Sequence, residues 1–215
     1  MSKRIFIFAG GDCRDPEFYR QLIGPGDLII SADGGSAHVL AMGLQPFAVV
    51  GDGDSTGASL REKLERLPVK WVLQPALDEE ISDLEMALDY ALSLNPSELV
   101  ICGALGGSRI DHTLVNLGLL LLPLRAGVPA RIIDELQTVQ LMESTLVVPG
   151  KAGDCLSLLP LTPEVTGVAV EGLKYPLSGE TLYFGSSRSL SNELICDSAS
   201  IRMTAGLLLV VHTRS

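Results

Sequence analysis

The 215-residue chain is 47% hydrophobic, enough to build a sizeable core, and its 26 acidic against 16 basic residues give a net charge of −10. A field of that sign repels nucleic acid and anionic lipid headgroups, so neither is expected as a partner. The four cysteines are far apart and form no C-x-x-C pair, which argues against a zinc knuckle or a redox motif. No signal peptide is recognised, and the longest apolar run, 114–124, is interrupted by asparagine, glycine and proline; we therefore expect a cytoplasmic protein without a membrane span.

The first two thirds of the chain alternate short β-rich segments with helix-period segments, a pattern typical of a parallel sheet with crossover helices. The predicted strands are 4–10, 27–33, 46–52, 70–74, 98–104 and 130–134. The clearest helix covers 82–94, where Ser82 and Glu85 form a capping box at its start. Its apolar residues recur at helical spacing: Leu84, Ala87, Leu88, Ala91 and Leu92.

From about Gln137 the pattern changes to strand-like runs separated by glycine, proline and serine every eight to twelve residues. This spacing is typical of an all-β module. We place the domain boundary between 135 and 145 and expect an α/β domain over 1–138 and an all-β domain over 139–215.

Acidic residues follow successive strands of the predicted sheet. They are Asp33, Asp52, Asp54, Asp78, Glu79, Glu80, Asp83 and Asp111. The loops after parallel strands meet at one edge of the sheet, where open α/β folds bind ligands. Crowded carboxylates repel one another unless cations lie among them, and hard oxygen ligands with open positions for water and phosphate suit Mg²⁺. Arg109 in that acidic ring is the expected planar donor to a phosphate.

Glycines also follow the predicted strands and allow backbone to approach a ligand closely. The chain has neither G-x-x-x-x-G-K-[ST] nor a G-x-G-x-x-G that opens a helix, so neither a P-loop nor a dinucleotide fingerprint is present. Structural interpretations also exist: Asp83 as a first-turn acid, and Asp111 as the N-cap of a helix that starts near Thr113. The concentration of acids at one end of successive strands favours the functional interpretation.

Five blocks of the sequence resemble the thiamine pyrophosphokinase family, in order and over nearly the whole chain. The blocks are 32–55, 82–88, 103–116, 172–177 and 187–193. The resemblance implies an α/β catalytic domain with a Rossmann-like parallel sheet and flanking helices, then a C-terminal β-sandwich that binds thiamine. It also implies a homodimer with thiamine at the subunit interface. In that family, pyrophosphate passes from ATP to the hydroxyl of thiamine, giving thiamine diphosphate and AMP, and Mg²⁺ is required.

The resemblance assigns roles to eight residues. Asp52, Asp54 and Asp83 would hold magnesium. Asp33, Arg109 and Asp111 would complete the ATP-phosphate site, with Asp111 also a candidate acceptor of the hydroxyl proton. Ser191 and Asn192 would contact thiamine. The expected catalytic set is therefore Asp52, Asp54, Asp83 and Asp111.

The chain departs from the family pattern at four positions. Met86 stands where a lysine is usual, and the lost charge would weaken ATP binding unless a neighbour replaces it. Gly53 replaces an aromatic residue between the two aspartates, and Glu79 stands where a glutamine or similar residue is common. Ser189 replaces a glycine in the R-G-x-S-N string, so the pyrimidine pocket would differ in detail.

Three other functions fit parts of the sequence. The segment DGDST resembles the nucleophile loop of aspartyl-phosphate phosphatases, with Asp52 as nucleophile, although Gly51 interrupts the preceding apolar strand. A pyrophosphokinase acting on another alcohol, such as a pterin, would share the catalytic half, whereas the SNE block favours thiamine. A thiamine or nucleotide sensor without turnover is the third, and Met86 is its best support.

Overall fold

The computed structural model describes residues 3–51, 57–73 and 81–215. These residues form two compact units that divide between Glu135 and Leu136, three residues before the division expected from the sequence. Among the described residues, no helix combines the length and the apolar character needed to cross a membrane.

The first unit contains a six-stranded parallel sheet. Its strands are β1 (Arg4–Phe8), β2 (Leu28–Ala32), β3 (Ala48–Val50), β4 (Lys70–Val72), β5 (Glu98–Cys102) and β6 (Ala130–Ile133). They lie in the order β6-β5-β1-β2-β3-β4, and every neighbouring pair is parallel. The α/β class with a parallel sheet is therefore confirmed, and each predicted strand is present within its predicted range.

The helices of this unit cover both faces of the sheet. They are α1 (Pro16–Leu22), α2 (Ser36–Ala41), α3 (Ala58–Glu65), α4 (Asp83–Ser93), α5 (Ile110–Leu119) and α6 (Leu121–Arg125). Phe6 and Phe8 of β1 pack in one cluster with Tyr19 of α1 and Val39 of α2. Successive residues of a strand point to opposite faces of the sheet. Helix α4 packs against β1 and β2, and its predicted apolar stripe is buried over Leu84–Ala91.

The strand order reverses at β1. The chain runs outward from β1 through β2, β3 and β4, then returns to place β5 on the other side of β1. Loops after β1 and β5 therefore leave the sheet in diverging directions, and this switch point is where open α/β sheets form a ligand crevice.

The second unit contains eight antiparallel strands in two sheets. The strands are β7 (Gln137–Met142), β8 (Thr145–Pro149), β9 (Cys155–Pro160), β10 (Glu164–Glu171), β11 (Leu177–Tyr183), β12 (Asn192–Glu193), β13 (Ser198–Arg202) and β14 (Leu208–Thr213). The sheet orders are β12-β9-β14-β7 and β11-β10-β13-β8. Side chains of both sheets, such as Leu158 of β9 and Val170 of β10, share one buried core. The predicted β-sandwich is therefore confirmed.

Candidate functional site

A cavity of about 750 Å³ opens at the carboxyl edge of the parallel sheet in the first unit. It is lined by the loops after β1, β2 and β5 and by the start of α4, within 9–11, 32–38, 81–84 and 103–116. The cavity thus occupies the switch point that the strand order creates.

Backbone contacts fix the loops around this cavity. The Gly11 N–H donates to the Gly103 carbonyl at 2.7 Å, and His38 Nε2 lies 2.8 Å from the Gly11 carbonyl oxygen. Gly103 has φ +64°, and a Cβ there would lie 2.4 Å from the Ala9 carbonyl oxygen. Only glycine allows this approach, so the loops after β1 and β5 meet through main chain and leave little side-chain bulk in the cavity.

Two of the predicted acids converge at the end of β3. Asp83 begins α4 directly after the Ser82 N-cap, whose Oγ accepts the Glu85 N–H at 3.3 Å, as predicted. Asp33 is buried in a 3₁₀ turn after β2. A Cβ at Gly51 would lie 2.7 Å from Asp83 Oδ1 and 3.0 Å from Asp33 Cβ, and Gly51 has φ +125°. Glycine at this position therefore lets both acids lie beside the main chain immediately before Asp52.

The other two predicted magnesium ligands, Asp52 and Asp54, lie outside the described residues. Among 3–51, 57–73 and 81–215, no group of three or more histidine, cysteine, aspartate or glutamate residues is placed to hold a metal ion. The metal site assigned to Asp52, Asp54 and Asp83 stays a prediction.

Arg109 lines the same cavity as Asp83 and holds Asp111 in a bidentate ion pair. Arg109 Nε lies 2.9 Å from Asp111 Oδ1, and Arg109 Nη2 lies 2.5 Å from Oδ2. The Arg109 hydrogen bonds lower the pKa of Asp111 to about 2. Helix α5 begins at Ile110 with Arg109 at its N-cap, so the alternative of Asp111 as the N-cap is wrong.

A second cavity, of about 300 Å³, lies in the β-sandwich unit. Its lining is mainly apolar: Leu158, Val170, Leu173, Tyr175, Pro176, Leu177, Arg188, Ser189, Leu190, Ser191 and Asn192. Both residues predicted to contact thiamine, Ser191 and Asn192, are in this lining. The structure therefore places them at one cavity.

The segment that carries Ser191 has an unusual backbone. Ser189 has φ +72° and Ser191 has φ +57°, both in the left-handed region that non-glycine residues rarely adopt. Strand β9 holds both residues: Ser157 Oγ accepts the Ser191 N–H at 2.9 Å, and Ser189 Oγ donates to the Leu158 carbonyl at 2.9 Å. Ser157 is 8% exposed, so this support lies inside the sandwich.

Both units match models of one protein family. Residues 19–132 match the thiamin pyrophosphokinase catalytic domain, and residues 143–208 match the thiamin pyrophosphokinase vitamin B1 binding domain. The chain belongs to the thiamin pyrophosphokinase family. The resemblance seen in the sequence is therefore confirmed.

Individual thiamin pyrophosphokinases agree with this assignment. The thiamine pyrophosphokinase of Bacillus subtilis (strain 168) is 30% identical over 194 residues, which is 86% of this chain and 87% of that protein. A crystal structure of thiamine pyrophosphokinase from Bacillus subtilis has a TM-score of 0.90 at 26% identity and covers 99% of this chain and 100% of that one. A thiamin pyrophosphokinase structure from Geobacillus thermodenitrificans has a TM-score of 0.85 at 27% identity and covers 99% of this chain and 98% of that one.

Three residues at or beside the second cavity were not predicted from the sequence of this thiamin pyrophosphokinase family member. Ser157 supports Ser191, Tyr175 forms part of the second cavity's lining, and Arg188, also in that lining, donates to Glu180. Tyr175 lies within the GLKYPL block and could have been selected from it. Ser157 carries no such signal, because its role depends on the position of a segment 34 residues away.

Proposed function

We propose that this protein transfers pyrophosphate from ATP to the hydroxyl of thiamine and releases thiamine diphosphate and AMP. One observation carries the proposal: the two units match the catalytic domain and the vitamin B1 binding domain of the family. Each unit also contains a cavity lined by residues expected from the family. The first cavity has an arginine and an acid suited to magnesium and phosphate, and the second is small and mainly apolar, which suits a heteroaromatic vitamin.

Asp52, Asp54 and Asp83 would hold Mg²⁺ in the first cavity. The donor chemistry fits, since Asp83 brings a carboxylate oxygen to the residue that precedes Asp52, Asp33 lies beside that residue, and Mg²⁺ prefers oxygen ligands. Bound there, magnesium would neutralise charge on the phosphates of ATP.

The remaining polar residues of the first cavity would bind and orient the phosphates. Arg109 offers a planar fork to phosphate oxygens, and Asp111 holds that fork in place. Attack of the thiamine hydroxyl on the β-phosphorus needs in-line placement and charge neutralisation, which position and electrostatics provide. A carboxylate with a pKa of about 2 is a weak base at neutral pH, so we assign Asp111 an orienting role ahead of proton acceptance.

Ser191 and Asn192 would belong to the thiamine site. They line a cavity whose apolar wall comes from Leu158, Val170 and Leu173, which are almost fully buried. Burial of the vitamin's rings against such a wall supplies non-directional affinity, and the few polar groups fix its orientation.

We also propose a homodimer in the cytoplasm. Apolar side chains stay exposed on α5, where Ile110, Leu114 and Val115 are 71%, 62% and 55% exposed, and beside the second cavity at Tyr175 and Leu190. Such side chains on an otherwise charged surface support a subunit interface. All four cysteines lie in the described residues and none forms a disulfide, which supports a reducing compartment.

A single assay tests the function. Protein is incubated with Mg²⁺, ATP and thiamine, and AMP and thiamine diphosphate are quantified; equal amounts of both are expected. Orthophosphate released without thiamine would instead indicate the phosphatase, and turnover with a pterin alcohol alone would indicate the related pyrophosphokinase. Thiamine binding without any AMP would indicate the sensor. Sedimentation of the active protein as a monomer would contradict the dimer.

A further inference from the structure

His38 reaches from α2 to the loop after β1. Its Nε2 lies 2.8 Å from the Gly11 carbonyl oxygen, and the residue lines the first cavity. A carbonyl oxygen can only accept a hydrogen bond, so in the neutral imidazole the hydrogen is on Nε2 and not on Nδ1. The His38 side chain therefore donates to the main chain of the loop after β1.

The Gly11–Asp12 peptide group is bonded at both of its edges. His38 donates to the carbonyl of this group, and the N–H of the same group donates to the Leu105 carbonyl, in the loop after β5, at 3.1 Å. Because a peptide group is rigid and planar, a hydrogen bond at each edge fixes the orientation of the whole group. A single peptide group of the loop after β1 thus joins α2 to the loop after β5.

The two loops approach too closely at this junction for a side chain at position 11. A Cβ on Gly11 would lie 2.5 Å from the Gly103 carbonyl oxygen and 2.8 Å from the Leu105 carbonyl oxygen. Main chain therefore packs directly on main chain, and α2 supplies the donor for the Gly11 carbonyl through His38.

The loop after β5 leads from this junction to Arg109. Four successive carbonyls of the loop, those of residues 103–106, accept hydrogen bonds. The loop after β1 supplies two of the donors, and α5 supplies the other two through Asn116 and Thr113. The path of the chain towards Arg109 therefore depends on bonds from both sides, and His38 supports those from the loop after β1.

We propose that His38 is a positioning residue for the phosphate site: its Nε2–H holds the Gly11–Asp12 peptide against the loop after β5 and so keeps Arg109 directed at the phosphates of ATP. This inference rests on the proposed function for the identity of the ligand. His38 acts through the main chain, and not by contact of its ring with the nucleotide.

Two substitutions of His38 separate the hydrogen bond from the ring. His38→Phe keeps a planar ring and loses the donor, so it should raise the KM for ATP about fivefold, the size of one net hydrogen bond, with kcat and the KM for thiamine within about twofold. His38→Gln loses the ring, but its amide nitrogen reaches about as far as Nε2 and should keep the KM for ATP within about twofold. Loss in His38→Gln, or retention in His38→Phe, would overturn the proposal.

A double variant shows whether His38 acts through Arg109. If it does, His38→Phe combined with Arg109→Gln is no worse for the KM for ATP than Arg109→Gln alone, whereas effects that multiply would overturn the proposal. Ser93→Ala is the matched control, because it removes a side-chain bond to a main-chain carbonyl outside the cavity lining, from Ser93 Oγ to the Tyr90 carbonyl at 2.6 Å. It should leave the KM for ATP unchanged, and a fivefold rise there would mean that the effect of His38→Phe is not specific to the site.

A measurement on the unmodified protein covers the case in which His38→Phe does not fold. The chain has three histidines, His38, His112 and His212, so ¹⁵N-histidine labelling gives three imidazole spin systems, assigned through His38→Gln and His112→Gln. Without nucleotide, the neutral His38 ring should show the Nε2–H tautomer, and the Nδ1–H tautomer would overturn the inference. Absence of AMP in the assay would overturn the proposed function separately, because the tautomer does not depend on turnover.

Discussion

The two cavities of this protein are built in different ways. The one of about 750 Å³ in the α/β unit is formed by main chain: its loops meet at Gly11 and Gly103, and its charged groups sit at strand and helix ends. The one of about 300 Å³ in the β-sandwich is formed by side chains, and side-chain hydrogen bonds from Ser157 and Asn192 hold its wall.

Under the proposed function, the difference follows from what each cavity would bind. Phosphate groups are small, charged and similar in all nucleotides, so glycine loops, one arginine and a few acids at the edge of a parallel sheet suffice. A vitamin has a particular shape, which needs walls of particular side chains at particular distances. Removal of a charge should therefore damage the first cavity most. Loss of the side-chain hydrogen bonds that hold the backbone in place should damage the second cavity most.

Asp83→Asn is expected to have the largest effect. It keeps the side-chain volume but removes a negative charge proposed to hold magnesium, so kcat should fall by about a hundredfold or more. The folded state should be nearly unaffected, because a first-turn acid contributes about 0.3–1 kcal/mol to a helix. Asp89→Asn removes an exposed charge from the same helix and is the matched control. Equal activity of the two variants would refute the metal role of Asp83.

Gly51→Ala tests whether main-chain geometry forms the acidic site. A Cβ at this position, with φ +125°, would lie 2.7 Å from Asp83 Oδ1. We expect a loss of about 2 kcal/mol in the free energy of unfolding, from left-handed strain and displacement of the acid, together with loss of activity. Gly26→Ala is the control with backbone strain and no steric contact, since Gly26 has φ +93° and no atom lies within 4 Å of an added Cβ. It should lower the free energy of unfolding by about 1 kcal/mol and retain activity. Denaturant unfolding compares them.

Arg109→Gln separates the ion pair from phosphate binding. Loss of the fork should raise the KM for ATP about tenfold, the size expected for a charge-assisted hydrogen bond. The pKa of Asp111 should rise from about 2 towards its usual 3.8, measured by carbon NMR titration. A lowered pKa favours the folded state above pH 3.8, and that contribution disappears as the pH falls towards 2. Since both side chains are more than half exposed, the melting temperature at pH 7 should fall only slightly.

Met86→Lys restores the charge usual in the family three residues after Asp83 on α4. One added positive charge near bound phosphate is expected to lower the KM for ATP by up to about fivefold, since a charge pair at contact distance in water gains about 1 kcal/mol. Ser93→Lys adds the same charge at the far end of α4, where the residue is exposed. If both variants lower the KM equally, the gain comes from net charge and not from position.

Local patterns predicted the fold and the first cavity well. The N-cap at Ser82 follows from the Ser-x-x-Glu pattern. The strand positions follow from the sequence period, and the placement of Arg109 at the sheet edge follows from the rule that parallel strands end together. Several predicted strands, such as those of β1 and β5, ran two residues too long at their ends. At β2 the prediction was one residue too long there, because Asp33 has left-handed backbone and begins a 3₁₀ turn.

The second cavity was predictable only as a pair of residues taken from a family motif. The support of Ser191 by Ser157 spans 34 residues, and that of Tyr175 by Asn192 spans 17. Both depend on the register that pairs Asn192 with Leu156 of β9. No local sequence pattern predicts that register. The left-handed backbone of Ser189 and Ser191 could not be predicted either, because serine rarely adopts this conformation.

Ser189→Gly is the finest test of side-chain support in the second cavity, and its expected effect is the smallest. Glycine relieves the strain of φ +72°, about 1–2 kcal/mol. It also removes the hydrogen bond from Ser189 Oγ to the Leu158 carbonyl, about 1 kcal/mol net, and gives the unfolded chain about 0.4–1 kcal/mol more entropy. These terms oppose one another, so the free energy of unfolding should change by less than about 1 kcal/mol.

The thiamine kinetics of Ser189→Gly then show whether the Ser189 hydroxyl or the left-handed backbone positions the segment. If the hydroxyl anchors the segment to β9, Ser189→Gly raises the KM for thiamine although its stability is nearly unchanged. Ser189→Ala, which keeps the backbone strain and loses the hydroxyl, then raises the KM for thiamine by the same amount. If the left-handed backbone alone sets the geometry, Ser189→Gly retains the KM. Retention of KM in both variants would show that the Ser189 hydroxyl does not position the segment, and that the Ser157 and Asn192 hydrogen bonds hold the second cavity without it.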